Sequence, residues 1–220
     1  AFQHASDLGF IFMETDVQAT NDGEIVVFHD NTLNRLAGVD KKISDLSSYE
    51  IRNIDLINGG RIPSLNELLS SFPNLRFNID IKTNDAVEKS IDIINQHTAF
   101  NRVCLAAFSS TRLKKIRKIC GDKLCSSMGM SEVFNLVLKS YGFPLNTNQG
   151  NCAQVPISYF GFPVVNKKFI NAAHTTNKLV HVWTIDEESE INNLIDLGVD
   201  GVMTDKPSVL MKVLKKRNLI

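Results

Sequence analysis

The 220 residues carry no excess of charge of either sign: Lys and Arg total 24, and Asp and Glu total 24. That balance argues against a nucleic-acid or anionic-membrane surface, which draws on a basic excess. The basic stretch "KVLKKR" (212–217) reads as the solvated face of a last helix. No apolar run approaches the roughly 18 residues of a membrane span, and no segment has the layout of a signal peptide. The chain opens at "AFQHASDLGF", without a Met and already in a helical pattern, so it is expected to be a fragment whose true start lies upstream. Cysteines are few: Cys104, Cys120, Cys125 and Cys152, with no CxxC pair among them. Reduced, mostly buried thiols are the expectation, and Cys120 and Cys125 lack His or Cys partners at zinc-ligand spacing. No GxGxxG-like run opens a helix, so "GVDGVMTDKP", ending at Thr204, Asp205, Lys206 and Pro207, reads as a capped strand-to-helix turn. At this length a core forms without disulfides or a structural metal. With neither linker nor solenoid repeat, one domain over 1–220 is the economical expectation.

What the chain does have is alternation. Short apolar strands and amphipathic helices follow one another, the pattern of a parallel sheet with crossover helices. "FIFMETDV" (10–17) is a strand, and "DGEIVVFHD" (22–30) is a hairpin arm after an Asn-Asp-Gly turn. Residues 31–60 read as polar and irregular, and "PSLNELLSSF" (63–72) as a helix with Ser64 and Glu67 placed for a capping box. Strands are predicted over 75–82, 102–108, 123–128, 152–156, 179–185 and 198–205, with helices between them. Without the hairpin arm this makes seven strand–helix units, one short of an eight-stranded α/β barrel. A first strand just upstream of Ala1 would complete it.

Polar residues interrupt two of these strands. Side chains alternate faces along a strand, so Phe10, Phe12, Glu14 and Asp16 share one face. Two carboxylates aimed together at a strand's C-terminal end repel unless a cation lies between them, and in a barrel that end is the catalytic mouth. In "FNIDIK" the residues Asn78, Asp80 and Lys82 likewise share a face, opposite apolar Phe77, Ile79 and Ile81. Lys82 could be simply the first loop residue and Asp80 a satisfied buried acceptor. The alternative is a hard-cation site, for which carboxylate oxygens and water suit Mg²⁺ or Ca²⁺ better than Zn²⁺. His29 precedes Asp30, which can orient or charge-stabilise its imidazole, and a histidine beside such a cluster suits proton transfer. His4, His97, His174 and His181 sit in structural settings. Trp183 shares the face of His181 nearer the mouth and either lines a ligand site or packs in the core.

These residues together resemble the glycerophosphodiester phosphodiesterase family. The matching stretches, in family order, are "METDVQATNDGEIVVFHDNTLNR", "RIPSLNELL", "FNIDIK", "AQVP" and "VHVWTIDEESEINNLIDLGVDGVMTDKP". The resemblance implies a TIM-like (β/α)8 barrel with a small insertion after strand 2, its first strand missing from this chain. It implies metal-dependent hydrolysis of glycerophosphodiesters to glycerol 3-phosphate and an alcohol such as choline or ethanolamine. It makes Glu14, Asp16 and Asp80 ligands of a divalent cation, Mg²⁺ or Ca²⁺. It puts Lys82 on the phosphate, makes His29 an acid–base group, and assigns Trp183 and Phe108 to a hydrophobic wall for the glycerol end.

Two departures from the family pattern stand out. Asp80 occupies a position where the family more often has Glu, and the shorter arm reaches a cation through a bridging water or a slight strand shift. The family's opening His-Arg-Gly and Pro-Glu-Asn-Thr segments, with a second catalytic histidine, an arginine and a glutamate, are not among these residues. The full-length protein is therefore expected to be an active diesterase, and the 220 residues alone feeble or inactive. The expected partner is a small-molecule substrate, with no nucleic acid and no transmembrane segment. The expected compartment is the cytoplasm, with a leader ahead of Ala1 left open, and the sequence does not give the oligomeric state. Two other classes compete: a non-catalytic barrel that binds a phosphorylated ligand, and a sphingomyelinase D-like phospholipid lyase.

Overall fold

In the computed structural model, which describes residues 1–147 and 149–220 (Asp122 by its backbone only), the chain divides into two compact units. One comprises Ile11–Cys125; the other joins Ala1–Phe10 to Ser126–Ile220. The opening helix α1 (Phe2–Asp7) belongs to the latter and buries no side chain.

The Ile11–Cys125 unit is built on β1 (Phe12–Ala19), whose odd-numbered residues Met13, Thr15, Val17 and Ala19 are buried. After a turn in which Gly23 adopts a φ of 82°, β2 (Ile25–Val27) returns antiparallel, with Val17 opposite Val27. The turn requires that left-handed conformation, which glycine adopts without a Cβ clash. Three short helical segments come next: α2 (Asn34–Ala37), a 3₁₀ turn (Ile43–Asp45) and α3 (Ser48–Arg52). They enclose a small core of Val26, Phe28, Leu33, Ile43, Leu46, Ile51 and Ile62. Asp22 ties this segment to the β1–β2 turn, accepting hydrogen bonds from the Ser48 backbone (2.9 Å) and hydroxyl (2.7 Å). The expectation of an irregular stretch over 31–60 is thus corrected. Each helical piece is too short for a 3.6-residue period to show, and local start signals, such as the Ser47–Glu50 capping box, carry the structure instead.

The unit continues with α4 (Leu65–Ser71), β3 (Arg76–Ile81), α5 (Ala86–Gln96), β4 (Val103–Ala106) and α6 (Ser110–Cys120), and its boundary falls within β5 (Cys125–Ser126). The predicted capping box is present: the Ser64 amide donates to Glu67 Oε2 at 2.8 Å and the Glu67 amide to Ser64 Oγ at 3.1 Å. The sheet order is β2-β1-β3-β4-β5. β1 and β3 are parallel with Phe12 opposite Arg76 and Asp16 opposite Asp80; β3 and β4 are parallel with Asp80 opposite Ala106.

The second unit adds α7 (Met130–Ser140), β6 (Cys152–Val155), an antiparallel hairpin of β7 (Ser158–Tyr159) and β8 (Phe162–Pro163), α8 (Lys167–His174), β9 (Leu179–Val182), α9 (Glu188–Leu197), β10 (Gly201–Val202) and α10 (Pro207–Lys216). The order β10-β9-β6 is parallel throughout. Phe169, Ile170, Val180, Val182, Ile191 and Leu194 fill its core. Gly201 is required by close approach, because a Cβ there would meet His181 Cδ2 at 2.9 Å. Proline at the first turn of α10 costs no hydrogen bond, since that amide has no helical acceptor. The β7–β8 hairpin was not visible as a strand pattern, whereas the seven predicted strand–helix strands are all present among the described residues. All four cysteines are reduced thiols, but only Cys120 and Cys152 are buried; Cys104 is half-buried and Cys125 exposed, so the expectation of mostly buried thiols is corrected. Among the described residues no helix is long and apolar enough to cross a membrane.

Candidate active site

Glu14, Asp16 and Gln18 lie on the β1 face opposite the one that Met13, Thr15 and Val17 bury. The register sets Glu14 beside Asn78 and Asp16 beside Asp80 on β3. The β1–β3 ladder runs one residue past β3, where the Lys82 amide donates to Val17 O at 3.0 Å. That residue's side chain then turns back over the acids. Lys82 Nζ is 2.7 Å from Asp16 Oδ1 and 3.0 Å from Asp80 Oδ2, with all three side chains mostly buried. Phe108, following β4, is half exposed and has the Lys82 ammonium 5.7 Å from its ring centre.

Two carboxylates here share one ammonium. Burial pushes the Asp16 carboxyl above its ordinary range, against the opposing hydrogen bond and charge of Lys82. Burial alone would lower the Lys82 ammonium, but Asp16 and Asp80 together outweigh it and raise its pKa. The lysine faces two acids and remains charged.

A second element borders this cluster. The Phe28 amide donates to Asp16 O at 3.0 Å, after which the chain leaves the β2 ladder. His29 Nδ1 is 2.8 Å from Asp30 Oδ1, and Asp30 is gripped by Arg35 through Nε (2.7 Å) and Nη2 (3.0 Å). Those Arg35 hydrogen bonds, helped by His29, hold the Asp30 carboxyl down to about 2. With Nδ1 engaged by Asp30, the imidazole presents Nε2 outward, and 66% of the His29 side chain is exposed. Beneath it, Gln18 Nε2 donates to the carbonyls of Phe28 (3.0 Å) and Asp30 (2.9 Å), with a longer contact to that of His29 (3.4 Å).

The predicted residues thus fall into three groups. Glu14, Asp16, Asp80, Lys82 and Phe108 lie on neighbouring strands or strand ends of one sheet, and His29 is in the same unit. Trp183 belongs to the other unit, half-buried after β9, where its amide donates to Val155 O at 3.1 Å. Of the other histidines, His97 and His174 are paired with Asn66 and Asp200, each at 2.8 Å. Sequence reasoning missed Gln18, Arg35 and Arg112. Arg112 Nη1 donates to Ile81 O at 2.6 Å and its Nε to Asn84 Oδ1 at 3.1 Å, bracing the end of β3, between Asp80 and Lys82, and the turn after it. For Gln18 the signal was available, since it continues the even-numbered polar face of Glu14 and Asp16. Arg35 and Arg112 sit in helices with no period linking them to the strands.

Among the described residues no three His, Cys, Asp or Glu side chains converge closely enough to hold a metal ion on their own. The donor chemistry nonetheless fits a hard cation. Asp16 and Asp80 are register partners, Glu14 shares the face of Asp16, and Asp80 Oδ1 is buried without a hydrogen-bond partner. A carboxylate oxygen orphaned at such depth is costly unless something cationic meets it.

Residues 1–209 match the sequence profile of the glycerophosphoryl diester phosphodiesterase family. The chain belongs to that family. It is 34% identical over 223 residues to the probable glycerophosphodiester phosphodiesterase 2 of Mycobacterium tuberculosis, covering 99% of this chain and 84% of the relative. It is 27% identical to a glycerophosphodiester phosphodiesterase of Caldanaerobacter subterraneus subsp. tengcongensis, covering 98% and 90%. A solved Oleispira antarctica phosphodiesterase, in complex with the product sn-glycerol-3-phosphate, superposes with a TM-score of 0.78 at 19% identity over 96% of this chain and 88% of that one. The fold of the family member described here is accordingly α/β, of the TIM-like (β/α)8 class.

Proposed function

We propose that the full-length protein of this family member hydrolyses glycerophosphodiesters to glycerol 3-phosphate and an alcohol, with residues 1–220 as one domain that supplies part of the site and a divalent cation as cofactor. The observation that carries the reading is the Asp16–Lys82–Asp80 cluster with its orphaned Asp80 oxygen, at the strand ends of a chain matched almost end to end by this family. Asp16, Asp80 and Glu14 are the residues that would hold the cation, Mg²⁺ or Ca²⁺. When bound, the cation supplies Lewis-acid polarisation of the phosphoryl oxygens.

Two of the remaining roles fall to this chain's own side chains, and the second proton transfer, which the resemblance gives to a histidine of the family's opening His-Arg-Gly, is assigned to neither. Lys82, already charged between the acids, stabilises negative charge that grows on the phosphoryl group toward the transition state. Nε2 of His29, the ring nitrogen not engaged by Asp30, donates a proton to the leaving alkoxide or takes one from the nucleophile. Phe108, whose ring faces the Lys82 ammonium, offers apolar surface to the glycerol end. Asp80 has one methylene fewer than the Glu more frequent at this position, and the contact of Lys82 with both acids fits that shorter reach.

The test is release of glycerol 3-phosphate from glycerophosphocholine by the purified full-length protein, with residues 1–220 alone in parallel, with and without a chelator, and with Mg²⁺ or Ca²⁺ restored. Cation-dependent release of glycerol 3-phosphate and free choline is expected. A cyclic phosphate product would replace this reading with the lyase, and binding of the diester without turnover would replace it with the non-catalytic barrel.

A further inference from the structure

We propose that Gln18 is a positioning residue for the reaction, acting through His29: its buried side-chain amide fixes the Phe28–Asp30 backbone that carries the imidazole. This inference rests on the functional reading above for its kinetics, but not for its structural content. Three observations carry it. The β1–β2 ladder stops at Val17 opposite Val27, and the Phe28 amide contact to Asp16 O is its last backbone bond. Beyond that point the Phe28, His29 and Asp30 carbonyls converge on one donor, Gln18 Nε2, at 3.0, 3.4 and 2.9 Å. The donor is itself 8% exposed, so water does not readily take its place.

Residue chemistry explains why a glutamine stands there. A primary amide carries two N–H donors on one nitrogen, which suits a knot of carbonyls. A carboxylate of the same shape would face them with acceptors only, and an apolar side chain would leave them buried and unpaired. The clamp holds the backbone of the His29 segment from Phe28 to Asp30, and the Arg35 ion pair holds the Asp30 side chain. Between them the ring is held with Nδ1 on Asp30 and Nε2 free for chemistry. Gln18 also follows Asp16 by two residues on the same strand face, so the clamp ties the position of the histidine to the acids it works beside. It touches no reacting atom.

The test uses the full chain with Gln18→Met and Gln18→Glu, which keep the side-chain length without the donors, and Gln18→Lys, which restores donors at similar reach. For Met and Glu, kcat on glycerophosphocholine is expected to fall roughly 10- to 100-fold, as misplacement of a reacting group does. KM stays within about twofold and the lysine variant recovers part of the loss. In a His29→Ala background Gln18→Met should cost nothing further, because the group it positions is gone. An independent readout is the ¹⁵N signal of the His29 ring, assigned by its loss in His29→Ala. In the parent it shows the Nδ1–H tautomer donating to Asp30, and in Gln18→Met a mixture of tautomers. A folded Gln18→Met protein with an unchanged His29 signal, or an equal further loss of kcat in His29→Ala, overturns the proposal. If the parent releases no glycerol 3-phosphate, the functional reading fails instead, and the imidazole signal still decides the role of Gln18.

Discussion

Two histidine–aspartate pairs in this chain have the same 2.8 Å contact and opposite surroundings. His29 meets Asp30 beyond β2, in the segment joined by backbone and by Gln18 to the upper half of β1, which carries Asp16. His174, the last residue of α8, meets Asp200, which also accepts the Val180 amide at 2.8 Å. Val180 and Asp200 sit at the N-terminal ends of β9 and β10. In parallel strand–helix folds that end of the strands serves stability, and the C-terminal end serves chemistry. A short His–carboxylate distance is therefore no mark of function by itself. What separates the pairs is the company: two acids and an ammonium beside one, a strand start and a helix end around the other.

The sharpest way to break this contrast is to remove His29. His29→Ala should lower kcat about 10²- to 10⁴-fold, the range of a lost acid–base group, while the melting temperature stays close to that of the parent because the ring is largely exposed. Steady-state kinetics on glycerophosphocholine with the cation saturating checks it. A loss under tenfold would make His29 a bystander, no different in kind from His174.

Removal of the Arg35 support should have an intermediate effect. Arg35→Met leaves Asp30 with His29 alone, and kcat should fall about tenfold, the low end of what outer partners of a functional histidine contribute. The pH dependence gives a second readout. Asp30 is held down to about 2 in the folded chain, so its charge contributes stability above the unfolded value near 3.9, a contribution lost as pH falls toward about 2. Without Arg35 the folded pKa moves up toward the unfolded one, and that acid-side contribution shrinks. Melting curves between pH 2 and 5 should converge for the two proteins at the acid end and separate toward pH 5, with the parent the more stable.

The same contrast marks how much was legible from sequence. The strand–helix alternation was, because seven apolar strands separated by amphipathic helices leave a period that needs no tertiary information. The Ser64–Glu67 cap was also legible, being a contact between residues three apart. The face shared by Glu14 and Asp16, and that shared by Asp80 and Lys82, followed from strand alternation; their adjacency did not, since it depends on the β1–β3 register across 64 residues of chain. The 31–60 segment escaped because its helices are single turns anchored by Asp22 and a core of scattered residues. The hairpin at "SYFGFP" escaped because two-residue strands carry no alternation. Arg112 escaped for a different reason: its acceptor is a backbone carbonyl on another element, which no residue type advertises.

His174 completes the contrast with the smallest expected effect. His174→Ala removes a partly exposed pair whose carboxylate keeps its backbone partner, the Val180 amide. Asp200 is thus not orphaned by the substitution, unlike a buried acceptor stripped of its only donor. The expected cost is about 0.5–1 kcal/mol of stability, the scale of an exposed ion pair, read as a small drop in urea midpoint with an unchanged slope. Turnover should remain within about twofold of the parent, since this pair sits at the N-terminal ends of β9 and β10, the ends that serve stability. Asp200→Ala should cost more than His174→Ala, because it also strips the Val180 amide of its acceptor at the start of β9. A reversed order would mean that the imidazole, rather than the strand-start carboxylate, organises this end of the unit.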